Sequence, residues 1–318
     1  MKVERLEEKG FIPYNNSVKV TEMGNIIELQ SMSRKNSENV IKRLKGDRFV
    51  DTRTGEVKEC EKSEKRIDRK NALKKTFKDL RNLINANVVD VTNCQWITLT
   101  YAENMMDNSR LYSDCEKFYK RYKYHMKTVY NVTDFEYIAV VEPQGRGAWH
   151  IHLLVIFAKK PPFLQNSVLR EMWGYGFVKI TKLDDVSNVG AYLTAYLGDI
   201  PLDDIDALYG VEKPLGSEIG ILDDELDAHI KVDEKTGKKY VKGGRLHFYP
   251  AGMRIYRCSR GVKRPIVQTM EYEKAKEKVS AGTKTFSSNV RLYDDENNLE
   301  MFISTEQYNR LLPRSQGE

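Results

Sequence analysis

Histidine and cysteine are scarce in this chain of 318 residues, which holds five and four of them respectively. Cys60, Cys94, Cys115 and Cys258 are too scattered for a zinc-ligand spacing or a disulfide framework, so a reducing cytosol is the expected setting. No apolar run approaches the roughly 20 residues that a membrane span needs. Residues 1–10 are charged throughout and lack the apolar core of a secretory signal. No segment has the glycine-x4-glycine-lysine spacing of a nucleotide P-loop, so any helicase is expected to be a separate partner.

Charge, by contrast, is abundant. Charged residues make up 31% of the chain, the net charge is +6 and the pI is near 8.9. A surplus of this size is compatible with a polyanionic partner without establishing one, and its distribution carries more information than its total.

Residues 1–60 are polar with little periodicity and read as a loosely structured arm, with one hairpin over 48–59 turning at Thr54-Gly55. From residue 61 the pattern changes. Leu73, Phe77, Leu80, Leu83 and Ile84 recur at helical spacing. The remaining faces of that helix carry Arg69, Lys70, Lys74, Lys75, Lys78 and Arg81. A basic helix alone is an ordinary amphipathic helix with a solvated face; it becomes a phosphate-tracking face if a nucleic-acid reaction is supported elsewhere.

Strands are then expected at 95–101 (QWITLTY), 136–142 (EYIAVVE), 149–157 (WHIHLLVIF) and 177–183, and helices at 111–130, 163–173 and 187–197. The order β-α-β-β-α-β-α implies an α+β fold, a central antiparallel sheet with helices on one face. The expected organisation is an arm (1–60), a basic helix with the core (61–200), an acidic and then glycine-rich insertion or linker (201–244) and a smaller β-containing region (245–318).

The segment Trp149-His150-Ile151-His152-Leu153 is the most informative. In a strand, residues i and i+2 share a face, so His150 and His152 project together while Ile151 points into the apolar layer. Two neutral imidazoles suit a divalent metal, although histidine-x-histidine also occurs in oxygenase sites and by chance. The short connection over 143–148 argues for a hairpin. If it turns near Arg146, Glu142 falls opposite His150 and adds a carboxylate to the pair. Three ligands with an open side suit a catalytic metal. A slip of one residue would turn Glu142 to the other face.

Tyr192 and Tyr196 lie four apart on an expected helix and so share a face. Such pairs are commonly packing aromatics, yet tyrosine also serves as a covalent nucleophile on phosphorus when a cation or base assists it. In the tail, Arg254, Arg257, Arg260, Lys263 and Arg264, with Tyr249 and Tyr256, are equally readable as a solvated basic strand or as a set that stacks bases and contacts phosphates.

With these blocks in this order, the chain resembles the HUH endonucleases, specifically the rolling-circle replication initiators of phages, plasmids and integrated elements. Residues 96–101 (WITLTY) are similar to the family's first motif, His150-Ile151-His152 to its histidine-hydrophobe-histidine motif, and 192–196 to its two-tyrosine motif. The similarity covers about residues 90–200, and the stretches 69–87 and 245–265 also look like regions flanking that core.

The resemblance implies an HUH palm and a Mg²⁺ or Mn²⁺ ion on His150, His152 and Glu142. It further implies attack by Tyr192 to give a 5′-phosphotyrosine link, and a second transesterification by Tyr196. The implied partners are single-stranded or hairpin origin DNA, held by the cationic residues above and by Arg146, with a host helicase and polymerase in a bacterial cytoplasm. Ala195 stands where many members carry lysine, so Lys179 or Lys182 is the candidate for that part. A mobilisation relaxase or transposase shares this chemistry. A non-haem iron oxygenase would need a jelly-roll pattern that the helices oppose, and a DNA-binding regulator would keep the motifs without catalysis.

Overall fold

The computed structural model describes residues 2–7, 10–34, 41–46, 48–60, 70–144, 147–183, 188–195, 200–201, 230–232, 239–241, 245, 248–294 and 299–312. It divides into two compact units, one of Glu64–Arg264 and one of Met1–Ser63 with Pro265–Glu318.

The first of these is built on five strands: β1 (Cys94–Tyr101), β2 (Phe135–Pro143), β3 (Trp149–Phe157), β4 (Gly176–Thr181) and β5 (Tyr256–Cys258). Their order across the sheet is β4-β1-β3-β2-β5, and every neighbouring pair is antiparallel. The α+β fold with a central antiparallel sheet is therefore observed. The strands read from sequence lie within about a residue of the observed bounds, apart from the end of β4, because the β-branched and aromatic runs of β1, β2 and β3 suit a pleated, buried surface.

Helices α1 (Lys70–Asn87), α2 (Asn108–Tyr130), α3 (Asn166–Trp173) and α4 (Val189–Ala195) complete this unit. Helix α2 starts where the Asp107 carboxylate accepts the N–H groups of Ser109 and Arg110 at 2.8 and 3.2 Å, and stops at Asn131 in the left-handed region. Its buried stripe is Leu111, Phe118, Tyr122 and Met126. Each such side chain contributes about 1.5–3 kcal/mol of burial before entropic costs. The Tyr122 hydroxyl donates to Gln95 Oε1 at 2.6 Å, the Tyr119 and Tyr137 ring centroids are 3.9 Å apart, and Trp173 of α3 meets Tyr101 at 4.9 Å. Gln95, Tyr101 and Tyr137 share one face of the sheet, so α2 and α3 cover that face. Helix α3 starts three residues later than the sequence pattern suggests, after Pro161-Pro162 and with Phe163 left 83% exposed.

Helices α1 and α4 pack on each other. A Cβ on Gly190 would lie 2.3 Å from Arg81 O and 2.7 Å from Asn85 Oδ1, so only glycine allows this approach. The Gly190 N–H donates to Asn85 Oδ1 at 2.7 Å. Asn188 Oδ1 caps α4, accepting from the Ala191 N–H at 3.0 Å and from Asn85 Nδ2 at 2.9 Å.

The second unit corrects the sequence reading of residues 1–60 as a loosely structured arm. Strands Ser17–Met23 and Ile26–Met32 lie inside a six-stranded antiparallel sheet, in the order Lys2–Leu6, Thr283–Asp294, Leu299–Asn309, Ile26–Met32, Ser17–Met23, Ile266–Glu271. Val18, Val20, Ile27 and Leu29 form its core with Ala275 and Val279 of α5 (Tyr272–Val279). The polar composition misled because half of each strand faces away from this small core. The hairpin around Thr54-Gly55 is observed, with Arg48–Asp51 paired to Val57–Glu59 and Gly55 at φ 73°. Within 201–244, short strands Ile230–Val232 and Lys239–Val241 pair, and the latter also pairs with Ile200–Pro201.

Candidate active site

The β2–β3 hairpin pairs Glu142 directly with His150, and Val140 with His152. The register needed to bring the carboxylate beside the imidazoles is therefore present. Gly147 at φ 84° helps close the connection, and the Trp149 N–H donates to Met105 O at 3.0 Å. Because side chains alternate, Ile151 and Leu153 are buried while His150 and His152 turn to the opposite face, still partly accessible.

His152 is held on three sides. Its ring stacks on Trp96 with centroids 5.2 Å apart and planes 8° apart. Its Nδ1 is 3.2 Å from Thr98 Oγ1, and its Nε2 is hydrogen bonded to Glu142 Oε2. The His150 ring lies 6.1 Å from it, nearly perpendicular. The other Glu142 oxygen is ion-paired with Arg245, which also donates to Pro143 O at 3.0 Å. Glu142 is 6% exposed. Burial pushes its pKa up, but the charge and hydrogen bond of His152, with Arg245 and His150, outweigh this and hold it below the ordinary carboxylate range.

The donor set fits a divalent cation in its chemistry: two imidazoles and an ionised carboxylate, on one face and with one side open to solvent. The side chains do not converge on one point, and among the described residues no three His, Cys, Asp or Glu form a metal-binding group. The cause is local. The His152–Glu142 hydrogen bond occupies the space that an ion would take, so binding requires that bond to open.

Residues 94–200 match the family model of replication-associated protein ORF2/gene 2 protein. The matched span runs from β1 through α4 and takes in Glu142, His150, His152, Tyr192 and Tyr196. No curated protein matches the chain, and no solved structure does.

Tyr192 stands inside α4, on the backbone anchored to α1 through Gly190 and Asn85. Tyr196 lies outside the described residues, as do Arg69 and Arg146. Lys70 opens α1. On that helix Lys74 and Lys75 are exposed, Lys75 bonding to Asp79 at 2.5 Å, and Lys78 and Arg81 are partly buried. Lys179 is exposed and paired with Thr98, on the histidine face; Lys182 is exposed just past β4. Lys263 and Arg264 are exposed, and the backbone of Lys263 is held by Asn87 through two 2.9 Å hydrogen bonds.

Arg254, Arg257 and Arg260 gather elsewhere, on a groove beside α2. Tyr249 is corrected: it is fully buried, its hydroxyl donating to Val141 O at 2.8 Å, and it has no face to offer a base.

The sequence reading missed Trp96, Thr98, Asn85, Gly190 and Arg245. Trp96 and Thr98 were within reach, since they share a parity in β1 and β1 adjoins β3. Arg245 carried no local signal, because it arrives from beyond residues 201–244.

Proposed function

We propose that this protein is a metal-dependent endonuclease that nicks single-stranded DNA through a tyrosine, initiating rolling-circle replication. The observation that carries the reading is Glu142 paired in register with His150, beside His152, within the span that matches replication-associated proteins.

His150, His152 and Glu142 hold a divalent cation (Mg²⁺ or Mn²⁺). When bound, that ion polarises the scissile phosphate and offsets the charge that develops on it. Trp96 and Thr98 fix the His152 ring. With Nε2 turned to the ion, Nδ1–H donates to the Thr98 hydroxyl, so the ring is held in the correct tautomer. Tyr192 Oη forms a bond to phosphorus as the P–O3′ bond breaks, leaving a 5′-phosphotyrosine link and a 3′-hydroxyl that a host polymerase extends. Tyr196 carries out the second transfer that releases or joins the replicated strand. Lys179, on the histidine face, places a cation where Ala195 supplies none. The bond energy stays in the protein–DNA link, so the step needs no ATP. The cationic side chains of α1 contact phosphates on the same strand, and a separate helicase opens the duplex.

The test is nicking of single-stranded DNA from the protein's own replicon with Mn²⁺. Cleavage lost in EDTA and in His150→Ala, with DNA binding retained, supports the reading. Wild-type protein that binds the DNA and never cuts it makes the chain a binder only.

A further inference from the structure

Between α2 and β5, on the face opposite the histidines, the sheet carries a groove of about 720 Å³. Its floor is Ala139 and Val141 of β2, the residues whose neighbour Glu142 points to the other side. Five cationic side chains line it, Lys120, Lys123, Arg254, Arg257 and Arg260, against two acidic ones, Glu116 and Glu136. Glu116 is already bonded to Lys120 at 2.9 Å, and Glu136 accepts from the Gly261 N–H at 3.3 Å. Among the described residues no carboxylate lies within ion-pairing distance of Arg254, Arg257 or Arg260, so three arginines surround the cavity without a counter-charge.

Their setting is aromatic. The Arg257 guanidinium lies 3.7 Å from the Tyr112 ring centroid, and the Tyr112 hydroxyl donates to Arg254 O at 2.9 Å, which fixes the ring beneath it. The Tyr119 and Tyr137 rings form a second aromatic pair in the same wall.

We infer that this groove binds a nucleotide of single-stranded DNA outside the scissile segment. The inference rests on the nuclease reading and says where the flank of that DNA is held. The volume is within the roughly 300–1,000 Å³ of small-ligand sites. Guanidinium planes and tyrosine rings stack unpaired bases, and unpaired arginines receive phosphates. A duplex keeps its bases stacked and offers none to such a wall, and an acidic peptide would leave the aromatic wall unused. β5 is an edge strand of the sheet, so a DNA strand reaches both faces by passing round it.

The experiment is fluorescence anisotropy with a labelled oligothymidylate of about 15 nucleotides, a length within single-strand site sizes, in EDTA so that no cleavage occurs. Arg257→Ala and Tyr112→Ala each weaken binding about tenfold. Arg257→Ala with Arg260→Ala lowers the salt-dependence slope by roughly 1.4, about 0.7 per lost phosphate contact on a single strand. Tyr112→Phe keeps the ring and binds within about twofold of wild type, which separates stacking from loss of fold. Unchanged affinity in the Arg257/Arg260 double variant, with its melting temperature retained, overturns the proposal. So does equal competition by polyglutamate, which would make the groove a general anion surface. Because binding is read without metal, failure here leaves the cleavage test untouched, and failure to cleave leaves this test intact.

Discussion

Arg245 is ion-paired with Glu142, the carboxylate that faces His150 across the β2–β3 hairpin. Both side chains are nearly buried, at 11% and 7% exposure. Removing one partner of such a pair leaves a charge without compensation, which costs about 3–5 kcal/mol. Arg245→Ala is therefore expected to lower the unfolding free energy by about 3 kcal/mol, read from urea denaturation without metal. Arg245→Met combined with Glu142→Leu recovers most of that loss, because the pair is replaced by apolar groups, and still fails to bind Mn²⁺. A double variant no more stable than Arg245→Ala would show that the pair is not the source of the loss.

Thr98 holds the far side of the ring that Glu142 meets, with Oγ1 3.2 Å from His152 Nδ1. Partners of this kind set ring orientation, and losing them costs about 10- to 100-fold in metal affinity. Thr98→Val preserves shape and removes the hydroxyl. Its Mn²⁺ affinity by calorimetry is expected to fall about tenfold, with the far-ultraviolet circular dichroism spectrum unchanged. Affinity equal to wild type would remove Thr98 from the site.

How legible was this site in the sequence? The histidine pair, its strand and the opposing Glu142 followed from alternation and a short connection, both local properties. The basic helix α1 was also visible in its apolar stripe, of which Leu73, Leu80, Leu83 and Ile84 are buried. Arg245 was not visible, because a residue brought in from beyond residues 201–244 is chosen by tertiary packing. The six-stranded sheet was missed for the same reason. Strands Ser17–Met23 and Ile26–Met32 pair with chain more than 230 residues away, at Ile266–Glu271 and Leu299–Asn309, and short-range patterns hold no record of such partners.

The α1–α4 contact makes a prediction about the tyrosine helix. Gly190→Ala drives a methyl group into Arg81 O and Asn85. Overpacking of this kind costs about 1–3 kcal/mol. The expected result is a lower melting temperature and a larger proportional loss of DNA cleavage than of Mn²⁺ binding, because the histidines stand on a separate hairpin. Asn85→Ala is expected to act in the same direction with a smaller effect, through loss of the bonds to Gly190 and Asn188. Cleavage that survives Gly190→Ala at the wild-type rate would place the nucleophile elsewhere.

The central claim is a tyrosine-linked intermediate, and the most direct measurement is to trap it. The protein is incubated with single-stranded origin DNA and Mn²⁺, resolved on a denaturing gel, and the shifted band is digested for mass spectrometry. The account predicts a nucleotide remnant on the peptide carrying Tyr192, absent in EDTA and in Tyr192→Phe, with Tyr196→Phe still forming the adduct. Nicked DNA without any protein-linked product would contradict it, and would assign the attack to water.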